Sequence, residues 1–549
     1  MVVLRFVLVL LLLLVAICCT GMSEASEQPS EKPADQWTQV VDYDSLCALA
    51  RQVADRPAEP RSVLPEVLAR MQYDDYRRIA FRPKHAVWWD ELPTSLETFH
   101  RGFVQRDKVR IFTICDGESK EVMFSKSDFQ YQSPLNPDAI PSDAGHAGLK
   151  LVSTLDEMSG GQELLTFLGA SYFRGRSGAT RYGTSARALA IDVAMNREEE
   201  FPFFRGFWVV RPKQDQRCVT VLALLDSPSV AGAYKFELTP GMHESQLQVE
   251  SVLYFRSVPD KVALAPLTSM WIWGDGLDGP PKDARPAVHD SDGLLVQHRN
   301  ETAAPRHSGQ PSRDGASSGE TSEWTWRAFA RQSYPSVSRI AVDQLIGFGL
   351  MQRNRSFYHY DDHNARYDLR PSVWVTTDQP WTDGVIELLE LPGAHEGVDN
   401  IAAYWIPDCK PTVGEPVKLK YTVSFFAGDY GRQVNVARAT HFDVQRDADG
   451  QTIDMTIRFS GTPLHKTHLL ANMGVDVQLM RASLLRKSME RTESGDLLVG
   501  LTFQLDSDAP PELAVQLVED GKPLSERFTY LCPPQEPEFV YPAVYTRTE

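Results

Sequence analysis

Beyond residue 80 the chain falls into short apolar or alternating runs. Examples are VRIFTI, FWVVRP, CVTVLALL, GAYKFEL, SVLYFRSV, SMWIWG, VIELLEL and IAAYWI, separated by Gly, Pro, Asp and Asn. Period-two alternation and short apolar runs bounded by turn residues predict strands, and many of them in succession predict a β-sandwich. Helical spacing is clear only in 43–80, in LCALARQVA and VLPEVLARMQYDDYRRI. The stretch SARALAIDVA, 185–194, fits a short helix or a buried strand equally well. Residues 438–549, 112 in all, resume the alternation (TIDMTIRFSG, GDLLVGLTFQL, ELAVQLVED, RFTYLCPP). Their size and rhythm predict a small immunoglobulin-like sandwich, without the Cys…Trp…Cys signature of antibody domains.

Polar breaks set the boundaries. A chain of 549 residues exceeds one core, so two domains are expected. The larger runs over 38–428 and the smaller over 438–549, divided by the polar stretch 427–437 (AGDYGRQVNVA). Within the larger, 296–322 (VQHRNETAAPRHSGQPSRDGASSGETS) is Gly/Ser/Pro-rich and lacks aromatics, which predicts a disordered surface insertion. Residues 26–37 form a polar leader.

The first twenty residues, MVVLRFVLVLLLLLVAICCT, read as a secretory signal peptide spanning 1–25, with cleavage after Ala25. An uncleaved anchor is the alternative, and bulky Ile17 argues against a lipoprotein through Cys18 or Cys19. No later segment is apolar enough to span a bilayer, so the mature chain should be exported without stable membrane insertion. The net charge of −17 argues against nucleic acid or an anionic membrane as the main partner. Cys47, Cys115, Cys218, Cys409 and Cys532 are odd in number and scattered, which predicts no zinc site and no disulfide framework, although one bridge is left open.

Nucleotide-binding loops, zincin motifs and nucleophile elbows are absent. What stands out is acids among aromatics: ten of the eleven Trp residues lie between 88 and 405. Aromatic faces and polar side chains suit sugar rings, with their apolar faces and polar rims. Glycoside hydrolysis needs two carboxyl groups, an acid and a base or nucleophile. Asp290 and Asp292 in AVHDSDGL, Asp399 in GVDNIAAYW and Asp362 in FYHYDDHNARYD are the candidates in apolar surroundings. Each residue type is also common in turns and ion pairs. On a strand, Asp290 and Asp292 would share one face, and His289 would point away to pack.

Several longer stretches carry a resemblance. They include Gly169–Arg174 (GASYFR), Tyr182–Asp192 (YGTSARALAID), Glu200–Trp208 (EFPFFRGFW) and Leu224–Tyr234 (LLDSPSVAGAY). Others are His289–Leu294 (HDSDGL), Gly347–Arg353 (GFGLMQR), Ala365–Trp374 (ARYDLRPSVW) and Asp399–Trp405 (DNIAAYW). Together they resemble the periplasmic glucan biosynthesis family, MdoG/OpgG and its paralogue OpgD, across essentially all of the larger domain. The resemblance implies a mostly β protein: a large galactose-mutarotase-like β-sandwich followed by a small Ig-like β-sandwich. It implies a periplasmic location and work on a β-1,2-glucan backbone, with similarity to inverting endo-β-1,2-glucanases. By the same resemblance Asp399 is the general acid and Asp290 the general base, with Asp292 as the alternative base. The base would reach its water through a relay. Tyr182, Arg187, Arg353, Arg370, Asp362 and Trp374 are candidates for substrate binding, and for the arginines buried ion pairing is an equal alternative. No metal or cofactor is expected. A non-catalytic glucan-binding role is the runner-up reading, and a homodimer is left open.

Overall fold

A computed structural model describes residues 35–153, 161–213, 216–299, 322–392, 395–430, 435–466 and 472–534. The signal segment and most of the 296–322 insertion lie outside the described residues. The chain is mostly β, as expected from its alternation. One layer of the large unit runs, in hydrogen-bonded order, Phe203–Val210, Val219–Asp226, Val230–Thr239, Glu244–Phe255, Pro416–Phe426 and Ser372–Glu390. It continues through Ser336–Met351, Gly293–Arg299 and Glu323–Ala328. The 19-residue strand Ser372–Glu390 splits between layers. Its first part pairs with Pro416–Phe426, and its last part pairs with Ile401–Pro407. From there the second layer passes through Val262–Ser269, Ser185–Arg187, Tyr172–Gly175, Gln162–Leu168 and His146–Ser153 to Thr94–His100. Phe167 from this layer meets Phe207 and Phe236 of the other at 5.2 and 5.0 Å between ring centres. The apolar sides of two sheets close there into one core.

The ambiguous stretch 185–194 resolves as two buried strands, Ser185–Arg187 and Leu189–Ile191, against Val262–Ser269. Burial on both faces removes the polar positions that would show a period. The helical stretch is only partly helix. Tyr43–Ala54 forms one, started by a reciprocal cap between Asp42 and Ser45, and it buries Leu46, Leu49 and Ala50 beside Trp208 and Leu222. After Pro65 only the single turns Glu66–Ala69 and Tyr73–Tyr76 form. The insertion also begins later than its polarity suggested. Residues 296–299 belong to the strand Gly293–Arg299, where Val296 pairs with Thr325 and both Val296 and His298 are buried.

The C-terminal residues form a four-stranded sheet in the order Arg438–Arg446, Thr452–Ser460, Leu497–Leu505 and Ala482–Arg491. It faces Met473–Met480, Glu512–Glu519 and Arg527–Leu531 across a core that includes Phe442, Ile457, Phe503, Leu517 and Phe528. Arg527–Leu531 also pairs in parallel with Glu323–Ala328. The two units therefore share a sheet edge as well as the polar connector. Trp374 packs in this junction. Gly347 sits against it where the register shifts, and a Cβ there would lie 2.6 Å from the Trp374 ring.

Candidate functional site

A cleft of about 700 Å³ opens on the second layer. Glu163 and Thr166 come from Gln162–Leu168, Tyr172 and Arg174 from Tyr172–Gly175, and Phe201 and Asp399 from loops beside them. A cavity of about 460 Å³ continues it past Arg61, Phe201 and Phe203. Another of about 410 Å³ continues it past Phe99 and Glu163. Aromatic and charged side chains line these hollows.

Asp399 ends the loop before Ile401–Pro407. Its Oδ2 accepts a hydrogen bond from the Thr268 hydroxyl at 2.7 Å. The next residue fixes the loop: the buried Asn400 amide accepts from the Trp271 N–H at 2.9 Å and donates to the Trp271 carbonyl at 3.0 Å. The Asn400 N–H donates to the Ser269 carbonyl. Pairing both amide atoms with one backbone unit leaves Asp399 little freedom to wander.

Asp290 and Asp292 part company. The strand carrying them ends at His289, paired only with Trp271–Trp273, and a new strand in the main sheet starts at Gly293. Alternation therefore does not run through 290–292, and the expected shared face is corrected. Neither acid lines the large cleft. Asp290 lies 3.3 Å from Arg370 Nε. Burial pushes the Asp290 carboxyl up to about 6, against the pull of Arg370 and Arg174, and the negative charge of Asp399 adds to the push. Asp292 turns to the junction between the units. It accepts from the Arg353 N–H at 3.0 Å, and burial raises it to about 7. It lines a cavity of about 30 Å³ with Trp326, Arg353 and His441. His289 packs, as expected, with Nδ1 on Gln352.

The other candidates separate in the same way. Tyr182 lines the cleft, and its hydroxyl is buried without a hydrogen-bond partner. Arg370 donates to the Tyr182 carbonyl, so it ties Asp290 to the cleft wall. Arg187 is buried and pairs with Glu199 at 2.7 Å. Its guanidinium lies 4.9 Å from the Tyr172 ring and 4.8 Å from the Phe201 ring, both in the cleft wall. Its charge sits against both ring faces. Asp362 serves a turn: the N–H groups of Asn364 and Ala365 donate to it, and Arg285 pairs with it at 2.8 Å. Burial would raise this carboxyl, but those partners hold it below its ordinary value. Arg353 and Trp374 are nearly withdrawn from solvent at the junction and do not line the cleft. Arg353 takes the ion-pairing alternative, and Trp374 stacks 4.4 Å from Tyr430.

Sequence reasoning missed Tyr172, Arg174, Phe201 and Glu163 as cleft walls. It also missed Glu396, which accepts from the Tyr367 hydroxyl and pairs with Arg285, each at 2.8 Å. The signal was present for three of them: Tyr172 and Arg174 stand in GASYFR and Phe201 in EFPFFRGFW, but nothing in either stretch singles out one residue as a cleft wall.

The fold and the cleft define a mostly β protein with an elongated aromatic and charged groove. The chain belongs to the family described as "Periplasmic glucan biosynthesis protein, MdoG", whose model matches residues 41–532. It is 34% identical over 512 residues to the glucans biosynthesis protein G of Sodalis glossinidius (strain morsitans), covering 90% of this chain and 93% of the relative. Among solved structures, the galactosidase domain of the α-galactosidase-sucrose kinase AgaSK gives a TM-score of 0.25 at 9% identity, over 51% of this chain and 39% of that one. A polysaccharide lyase gives 0.19 at 8% identity, over 70% and 44%. Neither superposition is close enough to carry an argument. No helix of the described residues is long and apolar enough to cross a membrane.

Proposed function

We propose that this glucan biosynthesis protein is an inverting endo-β-1,2-glucanase that trims or releases glucan chains. It would be exported by its N-terminal signal segment and act in the periplasm, with Asp399 as general acid and Asp290 as general base. The observation that carries the reading is the placement of two carboxyls from separate segments. Asp399 lines the cleft on the Thr268 hydroxyl, while Asp290 pairs with Arg370 and burial raises it to about 6. A base with that value is ionised near neutral pH yet still basic enough to take a proton.

In this mechanism Asp399 delivers its proton to the glycosidic oxygen as the bond to the anomeric carbon breaks. Water attacks that carbon from the opposite face, and its proton passes through a relay of water and substrate hydroxyl to Asp290. Arg370 fixes the base, and Tyr172, Tyr182, Arg174 and Phe201 bound the sugar-binding surface. The adjoining cavities suit a polymer running along the groove. The test is to incubate the mature chain with linear β-1,2-glucan and follow new reducing ends by NMR. Release of the α-anomer supports the reading. Binding without cleavage would replace it with a glucan-binding role in synthesis.

A further inference from the structure

Arg353 spans the junction between the two units. Its Nη1 and Nη2 pair with Glu526 at 2.6 and 2.9 Å, and Nη1 also donates to the Ala439 carbonyl at 2.8 Å. Glu526 and Ala439 belong to the C-terminal unit. Nε lies 3.2 Å from Asp429 on the connector, and the guanidinium stacks 3.5 Å from the centre of the Trp326 ring. The planar fork of arginine is used on both edges and one face, which a lysine ammonium cannot reproduce. The side chains of Arg353, Glu526 and Asp429 are all nearly withdrawn from solvent.

The backbone of the same residue holds the acid segment. The Arg353 N–H donates to Asp292 Oδ2, while the Asp292 N–H donates to the Met351 carbonyl at 2.8 Å. Asp290 is two residues away, and its N–H donates to the Met270 carbonyl at 2.8 Å. Between them the Ser291 hydroxyl donates to Ser269 at 2.6 Å. The irregular segment 290–292 therefore hangs between two strand ends, and one of its ties leads through a single residue to the C-terminal unit.

We propose that Arg353 is a positioning residue through which the C-terminal unit holds Asp290 in place, with Asp292 as the link. The inference rests on the hydrolase reading for its catalytic consequence, but the mechanical link can be tested without it. The variants are Glu526→Gln, which keeps shape and loses charge, and Arg353→Lys, which keeps charge and loses the fork. Gln332→Ala is the control: it removes a different bond across the junction, from the Gln332 amide to the Leu531 carbonyl at 3.1 Å.

Two readouts are taken on folded full-length protein: hydrogen exchange of the segment 287–294, and kcat and KM on linear β-1,2-glucan. Glu526→Gln and Arg353→Lys should speed exchange in 287–294 and lower kcat by roughly tenfold or more, with KM changed less than about twofold. Gln332→Ala should leave both readouts as in the parent. Unchanged exchange in 287–294, faster exchange with unchanged kcat, or the same effect from Gln332→Ala would overturn the proposal. If the parent does not cleave glucan, the hydrolase reading fails while exchange still decides the link. If Arg353→Lys does not fold, Glu526→Gln carries the test.

Discussion

Asp290 offers a quantitative test that does not depend on turnover. Its folded value of about 6 lies above the ordinary 3.8 because burial disfavours the charged form. Between these values the folded chain binds more protons than the unfolded one, so stability falls as pH rises from about 4 to about 6 and stays lower above that. A shift of about two units corresponds to about 3 kcal/mol. Asp290→Asn removes this dependence, because the amide does not titrate. With an unfolding entropy of about 2.1 cal/mol/K per residue, roughly 500 folded residues give about 1 kcal/mol per degree. The difference in Tm, variant minus parent, should then rise by about 3 °C between pH 4 and pH 7.5. Loss of the Arg370 partner lowers the whole curve but not its slope. Differential scanning calorimetry across that range measures it. A flat difference, or one that falls with pH, would refute the placement of Asp290 as a buried, raised carboxyl.

Asp399→Asn should abolish glucan cleavage while leaving glucan affinity, read by calorimetric titration, within a few fold. Arg370→Gln removes the cation that pulls Asp290 down, so the acidic limb of the kcat profile should move to higher pH. Trp374→Ala should destabilise the fold by roughly 3–5 kcal/mol, as for other large buried side chains, without changing glucan affinity in the molecules that stay folded; chemical denaturation and binding assays separate the two.

Local pattern carried much of the fold because strands and caps are local events. The helix Tyr43–Ala54 begins where Asp42 and Ser45 cap each other, and the alternating C-terminal runs became strands where they were expected. Residues far apart in sequence were not legible in this way. Arg353 and Glu526 are 173 positions apart, so nothing in either neighbourhood shows that the arginine is already occupied. Trp374 looked like a sugar platform because aromatic residues serve both cores and ligands, and only packing distinguishes them. The opposite fates of Asp290 and Asp292 depend on a strand ending at His289; the Asp-Ser-Asp-Gly run that follows is rich in turn residues, but an alternating reading of the stretch carries the strand straight through it.

The same break bears on stereochemistry. A retaining enzyme needs its second carboxylate in contact with the anomeric carbon, because that group becomes covalently bound to the sugar. Asp290 pairs with Arg370 and is not among the residues lining the cleft, and Asp292 faces the C-terminal unit. A base that stands back from the substrate can still serve inversion, where the attacking group is water and only a proton must travel. Under the proposed mechanism, a base outside the cleft lining fits inversion better than retention. It also accounts for how one short segment can serve two ends: Asp290 keeps its charge within electrostatic reach of the groove, while Asp292, two residues on, anchors the segment from behind.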